Sequence, residues 1–201
     1  MTSPNKIISK NRSTGTIDKL IRAAVDLLSS RGFKATTVRD IAKAMDMSMA
    51  GIYNYFPSKE SLFFFIFDKT IREAKEKVFA AAQADLPPME RFRFILTTHF
   101  TCIGAHIKES KVTFLEDEHF SPKNKNKSKQ YQRAFFHLYV EEIKKLQAEG
   151  YISRQPPAIL ALNIFGVLNW FMRWYHPEGK LSLEQTIEHI VTFIINGVKG
   201  P

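Results

Sequence analysis

Apolar residues recur at three- and four-residue steps along nearly the whole chain, a spacing that predicts helices in series. Ile17, Leu20, Ile21, Ala24, Leu27 and Leu28 give one apolar face to a first helix over about residues 16–30, which Gly32 ends. Val38, Ile41, Ala42 and Met45 repeat the pattern in a short second helix, with Thr37 placed to cap its free amides. After a break at Asp46-Met47-Ser48, a third short helix is expected over 49–56, closed by Pro57. Ser58 then caps a long fourth helix that starts at Lys59 and extends toward residue 84. Beyond Pro87-Pro88 the same period predicts helices at 89–109, 111–120, 129–149, 157–175 and 183–199. The breaks at 121–128, 150–156 and 176–182 are rich in Pro, Gly, Ser or charge. Nothing alternates as a strand does, so the expected class is all-α.

The second and third elements stand out because both are short and only three residues separate them. That is the requirement of a helix-turn-helix, in which the first helix crosses a phosphate backbone and holds the second in the major groove. Ile41, Ala42, Met45, Met47, Ile52 and Phe56 can form one small core, leaving Ser48, Met49, Ala50, Gly51, Tyr53, Asn54 and Tyr55 to face outward or line its edge. Small residues at 50 and 51 are expected to let the backbone approach DNA. The alternative is that Tyr53 and Tyr55 close the core.

Charge sharpens this picture. Of the formal +9, most lies early: residues 1–59 hold ten Lys/Arg against four Asp. That is the footprint of a phosphate binder, as well as of a solvated lysine-rich face. Residues 1–14 read as a flexible basic arm. The single cysteine, Cys102, forbids an internal disulfide, and neither a signal peptide nor a membrane span is evident, so a cytoplasmic protein is expected.

The stretch AAVDLLSSRGFKATTVRDIAKAMDMS followed by MAGIYNYFPSKESLF, within residues 17–67, resembles the TetR family of bacterial repressors. The resemblance implies a three-helix DNA-binding head over 15–60 and a body of six helices over 61–201 that senses an effector. It also implies a homodimer joined through the last two helices on a palindromic operator. Carried over, it assigns Thr37, Tyr53 and Lys59 to phosphates and places Ser48, Met49, Ala50 and Asn54 nearest the bases. Asn can pair with adenine and Met49 can meet a thymine methyl. Two positions depart from the family pattern: Asp46 replaces a turn glycine, and Met49 replaces a common basic residue. With no Lys or Arg on the recognition helix, affinity is expected from Lys34, Arg39, Lys59 and the arm.

The body is crowded with aromatic side chains, which either fill a core or leave a gap between helices for a ligand. Phe100, Phe114, Phe136, Tyr139, Phe165, Asn169, Trp170, Arg173 and Trp174 are the candidate lining. The tail GVLNWFMRWYHPEGK followed by LSLEQ resembles that of family members answering to fatty acyl-CoA or other acyl-CoA thioesters, which implies release from DNA by such an effector. Leu160, Ile164, Val167, Leu168 and Phe171, with Ile187, Ile190, Val191, Ile194 and Val198, form stripes suited to either internal packing or a two-fold interface. His99, Cys102 and His106, at steps of three and four, can hold a metal or simply line core or pocket. The expectation is a regulator with no enzymatic activity, cofactor or resident metal.

Overall fold

The computed structural model describes residues 13–115 and 117–199, with side chains over 15–112 and 118–199. Residues 1–12, most of the expected arm, lie outside this description, as does the side chain of Phe114. Among the described residues every regular element is helical: α1 (Ser13–Ala35), α2 (Val38–Ala44), α3 (Met49–Tyr53), α4 (Lys59–Ala81), α5 (Pro88–Ala105), α6 (Ile107–Leu115), α7 (Pro122–Ala148), α8 (Pro157–Trp174) and α9 (Leu183–Lys199). A short 3-10 turn, Asp117–His119, precedes α7. None of these helices is long and apolar enough to cross a membrane.

The chain divides into two compact units, one of residues 1–69 and 108–125, the other of 70–107 and 126–201. The first is built on the apolar face of α1, with Leu20, Ala24, Val25 and Leu28 buried, together with Ile41, Ala42, Ile52 and Phe56. Met45 and Met47, expected in that core, are half-buried. Leu62, Phe63, Ile66 and Phe67 of α4 are also buried there. Phe120 packs among Phe63, Phe64 and Phe67, with ring centroids 5.0 to 5.2 Å apart.

In the second unit α5 packs on α8 and α9, burying Phe92, Ile95, Leu96 and Phe100 with Leu168, Phe171 and Val191. Glu142 of α7 is buried but doubly paired, to Arg91 Nε at 3.3 Å and Lys145 Nζ at 2.6 Å. A buried charge persists only with such partners.

Several helix ends differ from the spacing-based expectation, α3 closing at Tyr53 and α6 running from Ile107 to Leu115, and two of the differences have a visible cause. The predicted helix 89–109 ends at Ala105, where His106 leaves the helical region (φ −122°, ψ 44°), and α6 begins at once. No Pro marks that break, and the nearby Gly104 is still helical and packed against Leu183. The predicted break at 121–128 is instead the first two turns of α7. Pro122 opens the helix in the position where its missing N–H costs nothing, and the Ser121 hydroxyl accepts from the Asn124 amide at 3.4 Å. The segment lacked apolar period because its side chains are mostly solvent-facing.

Candidate nucleic-acid interface

The turn between α2 and α3 is fixed from both sides. Thr37 and Asp40 form a reciprocal capping box: the Thr37 hydroxyl accepts from the Asp40 amide (3.1 Å) and donates to Asp40 Oδ2 (2.6 Å), which also accepts from the Thr37 amide (2.9 Å). These hydrogen bonds hold the Asp40 carboxyl below the usual carboxylate range. At the other end of α2 the Met47 amide reaches back to the Ala42 carbonyl (2.9 Å) and the Asp46 amide to that of Lys43 (3.3 Å). This is a Schellman ending whose left-handed residue is Asp46, at φ 51°. Aspartate is among the few side chains that tolerate that conformation, so the turn survives without the family's glycine. Ser48 then caps α3, its Oγ accepting from the Gly51 amide at 3.0 Å.

These constraints aim α3 outward. Met49 is 38% exposed and Tyr53 45%, and Ala50 and Asn54 are exposed beside them. Lys34 and Arg39 are exposed on neighbouring elements, while Tyr55 is half-buried. Gly51 is constrained from inside the head as well. It is half-buried, and a Cβ there would lie 3.1 Å from Cε of Met47, so its smallness serves packing within the head.

Lys59 is likewise engaged elsewhere. Its ammonium donates to the carbonyls of Phe33 (2.7 Å) and Thr36 (2.9 Å) and lies 3.9 Å above the Phe33 ring. Helix α1 ends with carbonyls that lack helical partners, around a Gly32 at φ 77°. Lys59 supplies donors and positive charge at that negative end of the helix dipole. Its neighbour Glu60 accepts from the Ser121 amide (3.1 Å) and the Asn124 side-chain amide (2.5 Å). The sequence did not signal this double anchorage at the start of α4, apart from the need of the α1 end for a donor.

The candidate ligand-lining residues fall into two groups. Phe100 and Tyr139 are fully buried, and Phe136 and Phe165 are half-buried. Tyr139 and Phe165 surround His99, whose Nδ1 is 3.1 Å from the Tyr139 hydroxyl. Burial pushes the imidazole down to about 4 and the phenol upward, so both are neutral near pH 7. Asn169, Trp170, Arg173 and Trp174, in contrast, are exposed, and the expectation that they line the same interior is corrected. They lie on the outer side of α8 because Leu160, Ile164, Leu168 and Phe171 occupy the inner one. Those four, read as interface candidates, are internal core.

The outer side of α8 and the adjacent side of α9 form an open groove of about 650 Å³, lined by Leu162, Val167, Trp170, Trp174, Ile190 and Phe193 among others. His99, Cys102 and His106 do not form a ligand set: no cluster of three metal-binding side chains occurs among the described residues. Burial raises the Cys102 thiol, leaving it in its inert form.

A capped helix-turn-helix on an all-helical body defines a class of DNA-binding regulators, and comparison with known proteins narrows it. Residues 20–65 match the family described as bacterial regulatory proteins, tetR family, and residues 85–198 match the tetracyclin repressor-like C-terminal domain. The chain belongs to the TetR family of transcriptional regulators. It is 24% identical over 196 residues to the HTH-type transcriptional repressor KstR2 of Mycobacterium tuberculosis, spanning 90% of this chain and 91% of that one. The solved structure of that ketosteroid transcriptional regulator shares the fold, with a TM-score of 0.85 at 20% identity, covering 92% of this chain and 95% of the other. AibR, solved with isovaleryl coenzyme A and operator DNA, shares it at a TM-score of 0.78 and 22% identity, covering 89% and 97%.

Proposed function

We propose that this regulator is a homodimeric repressor, released from a palindromic operator when a hydrophobic acyl-CoA enters its body. The observation that carries the DNA-binding part is the outward presentation of Met49, Ala50, Tyr53 and Asn54 by a turn whose every cap is satisfied within the head. Such pre-organisation lets α3 enter a major groove without reordering. Tyr53 offers a hydroxyl to phosphate, Asn54 an amide to adenine, and Met49 an apolar contact to thymine. Thr37 and Lys59 contribute by fixing α2 and the end of α1, and Lys34 and Arg39 supply charge.

The body supports an effector with a long apolar portion. His99 and Tyr139 form a neutral polar pair among Phe135, Phe136 and Phe165, surroundings that favour an uncharged group such as a thioester over a cation. The isovaleryl coenzyme A in AibR is the precedent for the class. Dimerisation is supported by the α8–α9 groove: Trp170 is 64% exposed and Phe193 69%, and contiguous exposed apolar surface of this kind is usually covered by a partner.

The test is selection of DNA from a random duplex pool by the full-length protein, followed by titration of the selected site with acyl-CoA esters of increasing chain length at fixed salt. A palindromic site bound tightly and released by a long-chain ester is the expected result. A site that ignores every ester overturns the effector class and leaves the regulator; failure to select any sequence overturns operator recognition. Phe193→Asp is expected to convert a dimer to a monomer by light scattering.

A further inference from the structure

The basic run at the start of α7 is solvent-facing, and among the described residues only Lys127 of its lysines lies over a ring, 5.9 Å from that of Tyr131. Lys123, Lys125, Lys127, Lys129 and Arg133 are exposed, and no Asp or Glu occurs between residues 119 and 140. Lys123 and Lys125 have no ion-pair partner among the described residues. Cations in a first helical turn oppose the dipole, and like charges four residues apart, as in Lys123/Lys127 and Lys125/Lys129, repel. The helix therefore carries a charge pattern that costs it stability. The acidic run 116–118 lies just before it, where Glu118 is already paired to His119 at 3.4 Å.

Lys123 and Lys125 fall in the same compact unit as α3. They flank Asn124, whose side chain is bound by Glu60 in the first turn of α4. Glu60 lies seven positions after Tyr53 at the end of the recognition helix, a span of at most about 25 Å even if fully extended. Duplex DNA presents one negative charge per about 1.7 Å of its axis, so a protein seated by α3 has phosphates flanking its site within this neighbourhood.

We infer that Lys123 and Lys125 form a second, sequence-independent contact with the DNA backbone beside the operator half-site. The inference rests on the DNA-binding reading above and adds to it a surface outside the helix-turn-helix. Such a contact raises affinity for any duplex equally and leaves base discrimination to α3.

The test measures affinity of the full-length protein against salt concentration, on a selected duplex extended by ten base pairs at each end. K123Q/K125Q is expected to reduce the slope of log affinity against log salt by about 1.8 for each bound protomer, two contacts at about 0.9 each. K127Q/K129Q removes the same charge farther along the helix and is expected to reduce it less. The melting temperature of K123Q/K125Q should equal or exceed that of the parent, since the lost cations opposed the dipole. An unchanged slope, equal losses from the two variants, or a lowered melting temperature overturns the contact. Lysine-dependent binding to phosphatidylglycerol vesicles with an unchanged DNA slope assigns the patch to a lipid surface instead. Failure of the unaltered protein to bind any duplex removes the DNA reading and this inference together, which separates that outcome from a failure of the lysines alone.

Discussion

His99 Nδ1 and the Tyr139 hydroxyl lie 3.1 Å apart, with the Phe135 ring stacked on the imidazole at 4.7 Å. The two polar groups satisfy each other where water does not compete, and the imidazole stays neutral because a buried imidazolium would lose its hydration.

The stability of the protein should therefore depend on acid. The folded-state value for His99 is about 4, against 6.5 for an ordinary histidine, so between these values the unfolded chain binds the extra proton. The contribution is complete above about pH 6.5 and is lost toward pH 4, at up to about 1.4 kcal/mol per pH unit. Urea unfolding of the parent and of His99→Gln across this range is the check: the difference between them should shrink as pH falls. A constant difference would show that His99 takes no proton on unfolding.

Lys59→Ala should destabilise the head by about 2 kcal/mol, since two charge-assisted hydrogen bonds to the end of α1 disappear and leave carbonyls without donors. The measurement pairs thermal unfolding with the salt dependence of DNA affinity. A lowered melting temperature with an unchanged salt slope is expected. The reverse result, normal stability and a slope reduced by about 0.9, would make Lys59 a phosphate contact.

Gly104 of α5 faces Leu183 at the start of α9, and an added Cβ would collide with the leucine methyls. Gly104→Ala should cost about 1 to 3 kcal/mol by overpacking. Adding Leu183→Ala should recover part of that loss in denaturant unfolding. If the two costs simply sum, the close approach of α5 and α9 at this point is not what the glycine serves.

On DNA, Tyr53→Phe should weaken binding to a selected site and to random duplex alike, whereas Asn54→Ala should narrow the difference between them by about 1 to 3 kcal/mol. Competition binding at one salt concentration separates the two effects. Equal loss of discrimination from both substitutions would remove the division between phosphate and base contacts.

Much of the fold was legible because helices bury stripes. Residues such as Leu20, Ala24 and Leu28, or Ile41 and Ala42, announce their helices by spacing alone, whereas the turn at Asp46 was legible through the resemblance, which puts a glycine there. What spacing could not show depends on partners distant in the chain. Lys59 meets carbonyls 23 and 26 residues away, and Glu60 meets the start of α7 more than 60 residues on. The first turns of α7 were hidden because they bury little, so no apolar period marks them. Helix α8 posed the opposite difficulty: Phe171 and Trp170 are adjacent and both apolar, and only the fold reveals that one is core and the other exposed.

The chain contains two tryptophans, Trp170 and Trp174, and both line the open groove between α8 and α9. All indole emission therefore originates at this one surface, and its wavelength follows whether water or protein covers it. Under the dimer proposed above, dilution of the native protein is expected to shift that emission toward the red, which a fluorimeter reads without any attached dye.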